Sequence, residues 1–383
     1  MKKKITFIII SATLLLVCSC TDLKNKADKK EIVSEVIKVN DEKDRGKTIA
    51  SDIFPLFDFI KLETNDEAIF GNIERIIFYN DRIFILDSEV AGKLLVFDRS
   101  GKYITTVGGK GKGPGEIIYP MDFYIDTLKK TINILDMGTS IKVYSLATDC
   151  FEILNSSEIP ATIGSFKTAP LPDNKRAFIT GGKNPELCIA DKSFKNLDFY
   201  FPYTSRKFSI LLREGLNYGN KNVIFRRYAN DTIYNLSEGK PTPYRVFDFN
   251  QPVSYNELVN LSESAQNEML TKYSLINLYF ESDSQFYLKY SINSKEFFYL
   301  RNPKGEIYHF SKEKINNDLF GTKNLYCIGV DQYTKSFVFM ITPSYLLKLV
   351  QTKPESLHPE SLNKLNQLHL KEDDNYVLVM LKM

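Results

Sequence analysis

The chain has 383 residues, 43% of them hydrophobic and 25% charged, with 22 Tyr, 27 Phe and no Trp. Its 50 basic and 47 acidic residues leave a net charge of +3, and Lys2, Lys3 and Lys4 account for all of that excess. A nucleic-acid protein needs a clustered basic face, so this balance speaks against nucleic acid as a partner.

The first segment is a positive stretch, Lys2 to Lys4, followed by an apolar run from Ile5 to Val17. At thirteen residues the run is too short to span a bilayer, which takes about 20 apolar residues. It fits an export signal that is later removed. The end of the run, Leu16-Val17-Cys18-Ser19-Cys20, resembles the lipobox of bacterial lipoproteins. Small Ser19 precedes Cys20, which would be diacylated and become the new N-terminus; Cys18 follows bulky Val17 and does not fit that role. The alternative is an ordinary signal peptide with an incidental cysteine. Residues 1–19 hold three lysines and no acids, so the processed chain carries 47 basic and 47 acidic groups and no net charge. Its membrane link would be the lipid alone, at about 0.8 kcal/mol per buried methylene.

Residues 20–52 read as a polar tether, with eight basic and eight acidic groups in 21–52 and one helical turn near Ile32 to Ile37. Residues 53–383 differ. Short runs rich in Ile, Val, Tyr and Phe recur between Gly, Asn, Asp and Ser clusters, the pattern of many antiparallel strands. Arg82 to Asp87 is followed by Leu94 to Asp98, the turn Arg99 to Lys102, and Tyr103 to Val107. Thr131 to Asp136 then precedes Ile141 to Ser145, so the Ile-Leu-Asp triplet has moved by 49 residues. Leu187 to Ser193 echoes Leu95 to Ser100 at a distance of about two periods, and weaker copies follow at Asp231, Phe297 and Ser336. A period in the high forties with four short strands per unit is what a propeller blade requires.

The expected fold is therefore an all-β propeller of four-stranded antiparallel blades, with room for six or seven and six expected. Radial stacking buries both faces of each blade, which explains runs such as Ile83 to Leu86 that do not alternate. Phe57 to Leu62 and Tyr376 to Leu381 are predicted to share a blade and close the ring without free edges. Two segments look helical, Asn256 to Thr271 and His358 to Leu370, and read as insertions decorating the ring.

From about Ile60 onward the chain resembles the bacterial lipoproteins that carry a six-bladed β-propeller related to NHL repeats. The most specific element is Gly108-Gly109-Lys110-Gly111-Lys112-Gly113-Pro114-Gly115-Glu116, similar to that family's glycine-rich loop. Lys61 to Thr64, Asn230 to Tyr234 and Asn316 to Asp318 agree as well. The resemblance implies the fold and a cell-envelope location, and it carries no catalytic residues across.

The glycine loop fails the nucleotide motifs. Pro114 stands where a P-loop needs its lysine, and no helix follows Glu116. It reads as a tight connection between blades that needs positive φ; if it binds a ligand, Lys110, Lys112 and Glu116 are the polar contributors. His309, His358 and His369 form no metal motif, and a G-x-S-x-G elbow is absent. Neither a metal nor a cofactor is expected. Asp87, Asp98, Asp136 and Asp191 recur at blade positions and read as turn caps. Beyond Cys20 only Cys150, Cys188 and Cys327 remain, and the last two read as buried small hydrophobes. Arg226-Arg227-Tyr228, with Arg213 upstream, is the densest cationic and aromatic cluster. It is a candidate ligand-binding group at the channel, or else a strand end paired with local acids such as Asp231 and Glu214. The functional expectation is an envelope-anchored binding or scaffold module for a small molecule, a glycan or a partner protein. The alternative is a propeller-type hydrolase or lyase acting on extracellular glycans or peptides.

Overall fold

A computed structural model describes residues 33–40, 46–181, 185–202, 215–218, 222–258, 260–352 and 355–383. They form a six-bladed β-propeller. Blade 1 runs through Arg75–Tyr79, Arg82–Asp87, Lys93–Asp98 and Tyr103–Thr106. Blade 2 comprises Pro120–Asp126, Thr131–Asp136, Ser140–Ser145 and Ile153–Glu158. Blade 3 comprises Ser165–Pro170, Arg176–Thr180, Leu187–Ala190 and Leu197–Tyr200. Blade 4 comprises Leu216–Tyr218, Val223–Arg226, Thr232–Asn235 and Thr242–Phe249. Blade 5 comprises Leu275–Ser282, Gln285–Ile292, Lys295–Arg301 and Ile307–Ser311. In blade 6, Cys327–Asp331, Ser336–Ile341 and Val377–Lys382 are joined by Leu56–Lys61 as the outermost strand. The first strand of each blade faces the axis.

The apolar runs sort by residue parity onto the two seams of each blade. Ile83 and Ile85 pack toward blade 6 with Val338 and Leu378. Phe84 and Leu86 pack toward blade 2 with Phe123 and Ile132. Likewise Ile132 and Ile134 meet blade 1, while Leu135 and Ile141 meet Phe178 and Cys188 of blade 3. A strand buried on both faces has no polar side to alternate. The ring closes as expected from the sequence: Val377 pairs with Lys61 and Leu381 with Phe57 in one antiparallel ladder.

The stretch read as a tether departs from expectation. Glu35–Val39 is a strand, not a helical turn, and it runs parallel to Thr242–Phe249 as a fifth strand of blade 4. Val36, Ile37 and Val39 are β-branched, and Ile37 and Val39 pack with Phe247 and Phe249. Thr48–Ile49 then pairs with Ile315–Asn316, and a short helix, Ala50–Ile53, buries Ala50 and Ile53. The structured body thus includes residues before 53, and Cys20 lies outside the described residues.

The predicted insertions are helical. Tyr255–Leu258 and Glu263–Lys272 lie between blades 4 and 5, the latter capped by Ser262, whose Oγ accepts from the Ala265 amide at 3.4 Å. Pro359–Gln367 is joined by a helix the sequence did not suggest, Pro343–Thr352, and both fall between the second and third strands of blade 6.

Candidate functional site

The glycine loop connects blade 1 to blade 2 and satisfies itself. Gly109–Lys110 pairs in parallel with Glu116–Ile117. The Gly113 amide donates to Glu116 Oε2 at 2.7 Å, and the Glu116 amide returns to Gly113 O at 3.0 Å. Gly115 has φ +78°, and a Cβ there would meet Ile153 Cγ2 at 3.0 Å, so the position requires glycine. Lys110 and Lys112 are exposed, whereas the Glu116 carboxylate is engaged by its own loop.

Arg226 ends the second strand of blade 4 and is 2% exposed. Its guanidinium donates to Ile276 O at 2.8 Å and to Asn277 O at 2.9 Å, clamping blade 4 to the inner strand of blade 5. Arg227 makes a two-pronged pair with Glu186, at 3.2 and 2.7 Å, and lies over the rings of Phe201 and Tyr255. Burial works against its charge, and Glu186 overcomes that and holds the guanidinium protonated. Tyr228 is half-buried and packs with the Val253–Leu258 cluster. Arg213 and Glu214 lie outside the described residues. The geometry of Arg226 and Arg227 is that of clamps between blades, with their hydrogen bonds spent inside the protein.

Asp87, Asp98 and Asp191 cap turns, whereas Asp136 reaches to amides 17 and 18 residues upstream. Asp98 accepts from the amides of Ser100 and Lys102, and Asp191 does the same for Ser193 and Lys195. Asp87 accepts from Gly71 and Val90, and Asp136 from Ile118 and Tyr119. Cys188 and Cys327 are buried, the Cys327 thiol donates to Gly329 O at 3.2 Å, and burial raises the Cys188 thiol to about 12. Cys150 is exposed. The ring of His309 stands 2.8 Å from Tyr290 Oη in the core. Among the described residues no group of three His, Cys, Asp or Glu is placed to hold a metal ion.

Two features went unread in the sequence. The first is a charged layer in the channel. Arg75, Asp122 and Lys167 occupy matching places on the inner strands of blades 1, 2 and 3, each within the first three residues of its strand. Arg75 Nε lies 2.6 Å and Lys167 Nζ 3.6 Å from Asp122 Oδ1, and the Thr168 amide donates to Asp122 Oδ2 at 2.7 Å. Arg75 also reaches across the axis to Leu216 O of blade 4, at 3.1 Å. This layer ties four blades together and obstructs the channel beside a narrow slot of about 110 Å³. The sequence marks these positions only as charges within strand segments; in the structure Asp122 and Lys167 each follow a register shift, at Pro120/Asp122 and Ser165/Lys167.

The second feature is a groove of about 740 Å³ at the seam of blades 6 and 1. It lies at the strand ends opposite the glycine loop and Arg226, where the first-to-second-strand turns of the two blades meet. Its apolar lining comes from Leu56, Ile60 and Met380. Its polar lining includes Asn80, Asp81, Asp331 and Thr334. Arg99 pairs with Asp331, donates to Asn80 O at 3.0 and 2.9 Å, and lies over Phe78 and Tyr333. Asp331 also accepts from the Tyr333 amide at 3.0 Å and from Thr334 Oγ1 at 2.7 Å, which fixes the turn. Tyr333 itself is 86% exposed. A four-residue turn carrying an aromatic looked like an ordinary hairpin; only the neighbouring blade makes it a wall.

Comparison with solved structures gives a presumed exported protein from Bacteroides fragilis NCTC 9343, 20% identical with a TM-score of 0.73 over 91% of this chain and 99% of that one. The WD40 repeats of RRP9 align at 10% identity and a TM-score of 0.42, over 85% of this chain and 97% of that one. The first likeness is one of fold. No curated protein matches the chain. Residues 34–382, from the added strand of blade 4 to the closing strand of blade 6, match one family from end to end, so the chain belongs to the DUF4934 family, described as a domain of unknown function.

Proposed function

We propose that this chain is an exported lipoprotein of the bacterial cell envelope, related to the six-bladed NHL-like lipoproteins. In this reading it is processed to Cys20, held by its lipid, and its propeller serves as a binding module for a small molecule or glycan. The groove between blades 6 and 1 carries the reading. At about 740 Å³ it lies within the range of about 300–1,000 Å³ typical of ligand sites. Its walls come from two blades whose turns are already held by Arg99 and Asp331, so a ligand meets a preformed surface and little ordering cost opposes binding. The anchor rests on the positive stretch, the short apolar run and Ser19-Cys20. Among the described residues no helix is long and apolar enough to cross a membrane. The likeness to a presumed exported protein supports the location.

Two measurements test the reading. Cys20→Ala is expected to abolish palmitate labelling and release the chain into the soluble fraction; retention in the membrane with label would refute the anchor. Native mass spectrometry of the full chain, purified from membranes in detergent, is expected to reveal a bound small molecule that Tyr333→Ala removes. Ligand retained unchanged in that variant would refute the groove as its site.

A further inference from the structure

Resting on that reading of the groove, we infer that its ligand is a short neutral glycan. The first ground is charge. The side chains lining the groove include the carboxylates Asp58, Asp81 and Asp331 against the cations Arg99 and Lys382, and Arg99 is held by Asp331. Anionic ligands are therefore disfavoured.

The second ground is the aromatic. Tyr333 stands 86% exposed at the groove, its backbone fixed by Asp331 and its ring beside the Arg99 guanidinium. A tyrosine has only two side-chain torsions, so it offers a large rigid face at low entropic cost. The C–H face of a pyranose ring packs on such a surface.

The third ground is the hydrogen-bonding set. A sugar presents vicinal hydroxyls that donate and accept together. The carboxylate of Asp81 accepts two such donors, the amide of Asn80 both donates and accepts, and the Thr334 hydroxyl, whose proton goes to Asp331, accepts. Asn80 and Asp81 are exposed at the tip of the blade 1 hairpin, and Tyr333 and Thr334 at the tip of the blade 6 hairpin. The two tips thus place hydroxyl-binding groups on one side of a sugar and a stacking ring on the other.

The test titrates the full chain in detergent with four probes, observed by saturation-transfer NMR and calorimetry: the neutral hexaoses of maltose, cellulose and xylan types, and a hexagalacturonate. At least one neutral hexaose is expected to bind, and the acidic one is not. Tyr333→Ala is expected to weaken binding about tenfold, equivalent to about 1.4 kcal/mol, with Asp81→Ala weakening it as well. Tyr119→Ala, an exposed tyrosine at the opposite strand ends, should leave it unchanged. Because Tyr333 and Asp81 are exposed, melting of both variants should match the parent, which separates lost binding from lost fold. Binding of hexagalacturonate alone, no neutral hexaose bound, or affinity indifferent to Tyr333→Ala and Asp81→Ala would each overturn the glycan. A non-sugar ligand that co-purifies and leaves with Tyr333→Ala would overturn the glycan while sparing the groove as a binding site. A ligand indifferent to that substitution would remove both.

Discussion

The seam between blades 1 and 2 and the seam between blades 4 and 5 solve one packing problem by different means. At the first, Phe84, Leu86, Leu94 and Val96 interleave with Phe123, Ile132 and Ile134, all buried and apolar. At the second, an apolar cluster around Phe247, Ile276 and Phe286 is crossed by charge. Arg226 caps two carbonyls of blade 5, and Arg245 lies between Glu281, at 3.1 Å, and Glu35, at 2.8 Å. Glu35 also pairs with Arg301 of blade 5. Guanidinium clamps and an added fifth strand thus lay polar contact over the apolar cluster at this seam. The regular repeat is therefore legible where the seam is apolar and fades where polar clamps replace it.

The largest effect is expected at the apolar seam. Phe84→Ala removes a fully buried ring and should cost about 3–5 kcal/mol, read as a lowered urea midpoint with an unchanged slope. Arg226→Leu should cost about 2–3 kcal/mol, because it leaves the Ile276 and Asn277 carbonyls without their charged donor. Arg226→Leu exceeding Phe84→Ala in the same assay would break the comparison.

The smallest effect is a pH dependence confined to the added strand. Burial works to raise the Glu35 carboxyl, but hydrogen bonds and charge from Arg301 and Arg245 outweigh it and hold its pKa below the usual value. A carboxyl lowered in the folded state stabilises at pH values above its unfolded pKa, and that contribution is lost as pH falls through the folded pKa. Amide protection of Val36 to Val39, relative to that of Phe84, should therefore fall as the solution is acidified below about pH 4.5. In Glu35→Gln it should already be low at neutral pH. Protection that follows Phe84 at every pH would sink this.

The candidate site was far less legible than the fold. The Arg226-Arg227-Tyr228 cluster stood out because cations and aromatics are adjacent in sequence, yet the fold turns Arg226 and Arg227 onto Ile276 O, Asn277 O and Glu186. The residues of the groove come from five separated stretches around Leu56, Asn80, Arg99, Tyr333 and Lys382. None is unusual in its own neighbourhood. Asp122 and Lys167 are likewise ordinary charges in strands that also carry Asp126 or Ser165 and Thr168, and they acquire meaning only when blades 1, 2 and 3 align them around one axis.

The sequence by itself determined the blade. Runs such as Ile83 to Leu86 require burial on both faces, the Asp98 and Asp191 turns have local hydrogen-bonding logic, and the terminal strands Leu56–Lys61 and Val377–Lys382 must each find a partner. These are short-range demands, written within a few residues by side-chain period and turn chemistry. Only the tertiary structure decided that residues 35–39 join blade 4, that three charges meet in the channel, and that Tyr333 faces Asn80 across a groove. Those arrangements depend on which blades become neighbours and on the angle at which the ring closes, and hydropathy within one strand carries no information about either.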